Sequence, residues 1–180
     1  MAKALSAKPV KLFVGMLTGF PDLIDETKDI LISNFGSIDL ESDRFKFDFT
    51  DYYEKEMGPG LVRKFFSFTP LISPEDLAGI KLKTNEIEED FARRNETQVA
   101  RPINLDPGYL TSAKVVLATA KDYSHRIYLK EGIYAEATLR YFQGAYQPWS
   151  WTYPDYKTPE YLRFFHRLRK IYLAQIAHSG

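Results

Sequence analysis

With 180 residues and 44% hydrophobic content, the chain has the size of one ordinary domain with a continuous core, which excludes disorder as its resting state. Its 24 basic and 24 acidic side chains cancel, so no whole-molecule field draws it to nucleic acid or anionic lipid, and the absence of cysteine removes disulfides, thiolate metal sites and cysteine nucleophiles. The charge is uneven: residues 1–105 hold 14 basic and 18 acidic side chains and residues 106–180 hold 10 and 6, which makes the second part the better partner for an anion.

The opening MAKALSAKPVKLFVGML has a short apolar run interrupted by Lys8, Pro9 and Lys11, a poor signal peptide, and no run is long enough to span a bilayer. With the lack of cysteine this points to a cytoplasmic protein. PVKLFVGML then reads as a buried first strand. FPDLIDETKDILISNFG reads as a helix with Phe20, Ile24, Leu31 and Phe35 on one face and Gly36 as its stop. IDLESDRFKFDF alternates, with Phe45, Phe47 and Phe49 on one side, and predicts a half-buried strand; LVRKFFSFTPL predicts another. Gly58-Pro59-Gly60 between them makes the two antiparallel neighbours.

Ser73 followed by Pro74, Glu75 and Asp76 is a helix start, and Leu77, Ile80, Ile87 and Phe91 continue it as an apolar face. QVARPINL supplies a further strand. The order β-α-β-β-α-β is a ferredoxin-like plan, an α+β fold with an antiparallel sheet and two helices on one face. Its expected extent is about 9–106, with an extension over about 107–180 inside a single domain. KVVLATA, HRIYL and IYAEATLRYF read as a β-meander, although Leu110, Ala113, Val116, Leu117 and Ala120 suit a helix equally. Thr158-Pro159-Glu160 opens a last amphipathic helix with Tyr161, Phe165, Leu168, Tyr172 and Ile176 on one face and Arg163, His166, Arg167 and Lys170 on another.

The strings FTDYYEKEMG, RPINLDPGYLT, KVVLATAKDYSHRIYL, GIYAE and WTYPDY, spread from Phe49 to Tyr156, resemble a bacterial family described as domain of unknown function 4416. The resemblance covers nearly the whole chain. It implies a small, single-domain prokaryotic protein, and it transfers neither an activity nor any catalytic residue.

Candidate chemistry gathers in residues 101–156. Asp106 before Pro107 suits the cap of a turn or short helix; alternatively the N–H groups there, with Tyr109, Thr111 and Lys114, hold a phosphate or carboxylate. His125 beside Arg126, with Lys121 nearby, is a minimal kit for phosphoester chemistry, His125 serving as acid/base. The plainer reading pairs Arg126 with Glu131 or Glu136, and an Arg126 found buried on Glu136 would mark the stretch as structural. Asp48, Asp51, Glu54, Glu56, Asp106 and Glu136 are oxygen ligands for a divalent cation such as magnesium, while three dispersed histidines make zinc a poor fit. Trp149, Trp151 and Tyr153 either form a wall that stacks on a ligand or plug the sheet.

The leading expectation is a pocket for a small phosphorylated or carboxylated ligand, such as a nucleotide, whether or not the protein is an enzyme. Lys114, Lys121, His125 and Arg126 supply positive charge, and Asp106 and Glu136 orient them or hold a metal. The competing expectation is a non-enzymatic module that binds RNA or a partner protein through the basic stripe of the last helix and the acidic TDYYEKEMG loop. Walker, dinucleotide-binding and nucleophile-elbow motifs are absent from the sequence.

Overall fold

The computed structural model describes residues 1, 3–49, 53–94 and 96–178. Its nine strands form one antiparallel sheet: β1 (Val10–Thr18), β2 (Ile38–Glu41), β3 (Phe45–Lys46), β4 (Val62–Ile72), β5 (Ile103–Leu110), β6 (Lys114–Thr119), β7 (Ile127–Lys130), β8 (Ile133–Phe142) and β9 (Ala145–Pro148). The order across the sheet is β2-β4-β1-β5-β6-β8-β7, with β3 also on β4 and β9 also on β8. Four α-helices complete the α+β fold: α1 (Leu23–Phe35), α2 (Glu54–Met57), α3 (Leu77–Arg94) and α4 (Pro159–Ala177). No helix among the described residues is long and apolar enough to cross a membrane.

The two faces of the sheet carry separate cores because side chains alternate along each strand. On one face Leu12, Val14 and Met16 of β1, Phe66 and Phe68 of β4, and Ile103 and Leu105 of β5 meet Ile24 and Leu31 of α1 and Ile80, Ile87 and Phe91 of α3. On the other, Phe13, Phe65, Leu110, Leu117 and Leu139 meet Tyr161, Phe165, Leu168 and Tyr172 of α4. β1 is buried at every residue, as a central strand covered on both faces must be.

The helix starts act as their chemistry predicts. Ser73 accepts from the Glu75 N–H and Asp76 closes a capping box ahead of α3; Thr158 accepts from the Tyr161 N–H and caps α4. Gly36 ends α1 with φ 96°, the left-handed region that glycine tolerates.

Two expectations change. The phenylalanine-rich run is not one strand: it breaks at Ser42, whose hydroxyl accepts from the Phe65 N–H at 2.9 Å, and resumes as the two-residue β3. Asn104 to Tyr109 is neither a turn nor a helix start. It lies inside β5, which pairs with β1 from Ile103 to Leu110, so its Asp-Pro-Gly sequence forms a strand. Pairing with β1 along the whole strand overrides the local turn preference, and Gly108 is needed because a side chain there would meet the Val116 carbonyl at 2.4 Å. The turn comes later, where the Thr111 hydroxyl accepts from the N–H groups of Ala113 and Lys114. Residues 114–119, which periodicity left between helix and strand, are β6.

Candidate functional site

β5 and β6 pair only from Gly108 to Leu110, against Leu117 to Val115. Beyond the Gly108–Leu117 pair they part, and Pro107, with no N–H to give, is the first residue past it. The backbone of Leu105, which has no strand partner on that side, is served by side chains of α3. Lys81 Nζ donates to its carbonyl at 2.7 Å and its N–H donates to Glu88 Oε1 at 2.7 Å.

The gap between the strands opens into a cavity of about 420 Å³, within the range of small-molecule sites. α3 contributes Lys81 and Asn85, β5 contributes Asn104 and Asp106, and β6 with its following loop contributes Leu117 to Lys121. Phe47, Phe49 and Tyr53 form an aromatic side, and Tyr153 to Tyr156 complete the lining.

A buried charge cluster sits at one end. Arg63 of β4 reaches across β1 at Gly15, where an added Cβ would lie 2.9 Å from the Phe65 ring and 3.4 Å from Arg63 Nη1. Its Nη1 donates to Asp106 Oδ2 at 2.7 Å, and Nη2 stands 3.6 Å from Asp155 Oδ2. Asn104 Nδ2 also donates to Asp106, at 2.7 Å, and Arg101 donates to Asn104 and to Glu88. Burial alone would push the Asp106 carboxyl up, but the Arg63 guanidinium, helped by Lys81 and Arg101, holds it below the ordinary range. Burial does push Asp155 up, Arg63 offsetting it only partly and the Asp106 charge adding to the rise. Burial likewise raises Glu88, against the pull of Lys81 and Arg101.

A second cluster flanks the cavity. Arg126 Nε donates to Glu136 Oε2 at 2.8 Å, its Nη1 to the Lys121 carbonyl at 2.9 Å and its Nη2 to the Tyr153 hydroxyl at 2.6 Å. Arg126 and Glu136 are 9% and 2% exposed and paired, so the stretch around Arg126 is structural, as the plainer reading of the sequence held, and the buried pair also borders the cavity. His125 Nε2 lies 3.1 Å from the same carboxylate but is not among the residues that line the cavity.

A family model described as domain of unknown function (DUF4416) matches residues 8–172, which takes in every strand, α1 to α3 and most of α4. The chain belongs to that family. No curated protein and no solved structure matches it.

In this DUF4416 chain the cavity therefore gathers Asp106, Lys121, Arg126, Glu136 and Tyr153 from among the residues singled out in the sequence. The others lie elsewhere. Tyr109 packs with Leu77 and Val116 on the α3 face, Thr111 closes the β5–β6 turn, and Lys114 is exposed opposite Arg140. Trp149 and Trp151 stack on each other at 5.2 Å, Trp151 stacks on His125 at 5.4 Å, and Arg140 covers Trp149 at 4.8 Å. Trp151 Nε1 donates to the Ala137 carbonyl, and the Thr152 hydroxyl donates to that of Thr138, occupying the edge of β8 between β7 and β9.

Sequence reasoning missed Arg63, Lys81, Asn85, Arg101 and Asp155. Four of these belong to segments that read as ordinary amphipathic elements or their flanks. Asp155 sits in a 3-10 turn (Asp155–Lys157) whose burial only the closed fold produces. Among the described residues no three of His, Asp and Glu come together as a metal site; Asp51 lies outside the described residues.

Proposed function

We propose that the cavity between β5 and β6 binds a small ligand carrying one phosphate or carboxylate group, with the size of a sugar phosphate or a nucleotide. The observation that carries this is the charge balance. In and directly behind the wall stand five cations, Arg63, Lys81, Arg101, Lys121 and Arg126, against four carboxylates, Glu88, Asp106, Glu136 and Asp155. Arg63 is held by Asp106 and Asp155, Lys81 and Arg101 face Glu88, and Arg126 is held by Glu136. Lys121 is exposed, with no carboxylate on it among the described residues, and it supplies the unmatched charge for an anion at the wall. Phe47, Phe49 and Tyr53 offer apolar surface to the body of the ligand.

The N-terminal elements support a ferredoxin-like reading of that part of the fold. The order β2-β4-β1-β5 is antiparallel throughout, and α1 and α3 share one face. On this reading the cavity marks the junction between a ferredoxin-like part and the meander added to it.

The test is a thermal-shift screen of nucleotides, sugar phosphates, carboxylates and short RNA. A ligand at about 100 times its dissociation constant adds roughly 2.7 kcal/mol. A shift with one phosphorylated or carboxylated class, lost in Lys121→Ala, is the expected result. A shift with RNA alone, lost on neutralising Arg163, Arg167 and Lys170 of α4, overturns it.

A further inference from the structure

One end of the cavity holds buried polar groups that lack hydrogen-bond partners among the described residues. Tyr156, 2% exposed, lines the cavity, and its hydroxyl has no hydrogen-bond partner among the described residues. Arg63 Nε behind it is buried and makes no hydrogen bond among the described residues, although the Tyr161 hydroxyl lies close to the guanidinium. Asp155, 4% exposed, lines the same end, and its carboxylate faces Arg63 from β4, Asp106 from β5, Tyr161 from α4 and Tyr156 of its own turn. A buried polar group left unpaired costs about 1–3 kcal/mol, and native structures keep few of them without a use.

The chemistry of these groups selects what fits. A phosphate or carboxylate placed here meets Asp106 and Asp155, and a cation meets Arg63, so either charge is repelled by part of the cluster. A neutral hydroxyl meets neither objection. It donates to the Asp155 carboxylate and accepts from the Tyr156 phenol, giving that orphaned hydroxyl a partner. Building on the proposed anion site, we infer that the Arg63–Asp155–Tyr156 end is a hydroxyl-binding subsite, so that the ligand is a hydroxylated phosphate or carboxylate with its anion near Lys121 and its hydroxyls at Tyr156.

Calorimetry with two named probes tests this: ribose 5-phosphate, and cyclopentylmethyl phosphate, which keeps a five-membered ring and the phosphate but has neither hydroxyls nor the ring oxygen. The wild-type protein should favour ribose 5-phosphate by about tenfold or more, since a site built for a hydroxyl rejects the analogue that lacks it. Tyr156→Phe should bring the two probes within about threefold while leaving cyclopentylmethyl phosphate unaffected, and should raise the denaturation midpoint because it removes an unpaired buried hydroxyl. Equal binding of both probes by the wild type, or an undiminished preference in Tyr156→Phe, overturns the subsite and leaves the anion site standing. Binding of neither probe, together with no shift from any other anion, overturns the anion site and the subsite with it.

Discussion

The ammonium of Lys81 on α3 lies 2.7 Å from the carbonyl oxygen of Leu105 on β5, where a paired strand would otherwise supply an N–H. Glu88, two turns further along the same helix, accepts the N–H of the same residue. One helix thus serves both backbone groups of Leu105 that the parting of β5 and β6 exposes, and this lets the sheet open without leaving buried orphans.

Replacing Lys81 by methionine keeps the volume of the side chain and removes the donor. The Leu105 carbonyl is then unpaired and Glu88 loses a cation, so a loss of about 1–3 kcal/mol is expected, read from the urea midpoint. Amide exchange at Leu105 should quicken well before exchange in β1. An unchanged midpoint would mean that water or a shifted β6 serves that carbonyl instead.

Gly15→Ala tests the path of Arg63. The new methyl would stand 2.9 Å from the Phe65 ring, which is itself enclosed by Phe13, Tyr156, Tyr161 and Phe165 and has nowhere to retreat. Overpacking of this kind costs about 1–3 kcal/mol. Arg63→Met should cost more, about 3–5 kcal/mol, because it strands Asp106 and Asp155 without their shared cation. Chemical denaturation of the two variants should rank them in that order.

The carboxylates give a pH dependence of two opposite signs. Asp106 has its folded pKa lowered, so its contribution is present above the ordinary aspartate range and is lost as pH falls through the folded value. Asp155 and Glu88 have theirs raised, so each opposes folding at neutral pH, and that opposition is relieved as pH falls through the folded value towards the ordinary range. Stability should therefore rise on mild acidification before it falls. Asp155→Asn should be more stable than wild type at pH 7 and show a smaller rise, as measured by denaturant midpoints across the acid range.

Glu136→Ala leaves Arg126 buried with the Lys121 carbonyl and the Tyr153 hydroxyl as its remaining hydrogen-bond partners and the Tyr123 ring beneath its guanidinium. A loss of about 3–5 kcal/mol is expected for breaking one side of a buried pair. Because Trp151 stacks on His125, which itself sits 3.1 Å from Glu136, tryptophan emission should shift in the same variant. A stable Glu136→Ala protein with unaltered emission would show that the pair is dispensable to this wall.

Much of the fold was legible because it rests on short-range signals. Gly36, Ser73 and Thr158 mark their helix ends by local chemistry, and the amphipathic faces of α1, α3 and α4 follow from spacing alone. The Asp-Pro-Gly of β5 misled because local preference there is overruled by β1, which pairs with it along its whole length. The site was half legible. Asp106, Lys121, Arg126, Glu136 and Tyr153 fall within the one polar stretch that the sequence marks and meet again in space, whereas Arg63 and Lys81 arrive from β4 and α3. Only strand order and helix packing bring those two beside Asp106, and no run of residues encodes them locally.

The parting of β5 from β6 also governs how the protein tolerates being divided. One wall of the cavity is made by the first hundred or so residues and the facing wall by the rest, and β5 belongs to both. Neither fragment on its own encloses the space. A chain severed in the loop after β5 would recover the pocket only by reassembly of the two pieces, so split halves joined to interacting partners would report on assembly through the return of ligand binding.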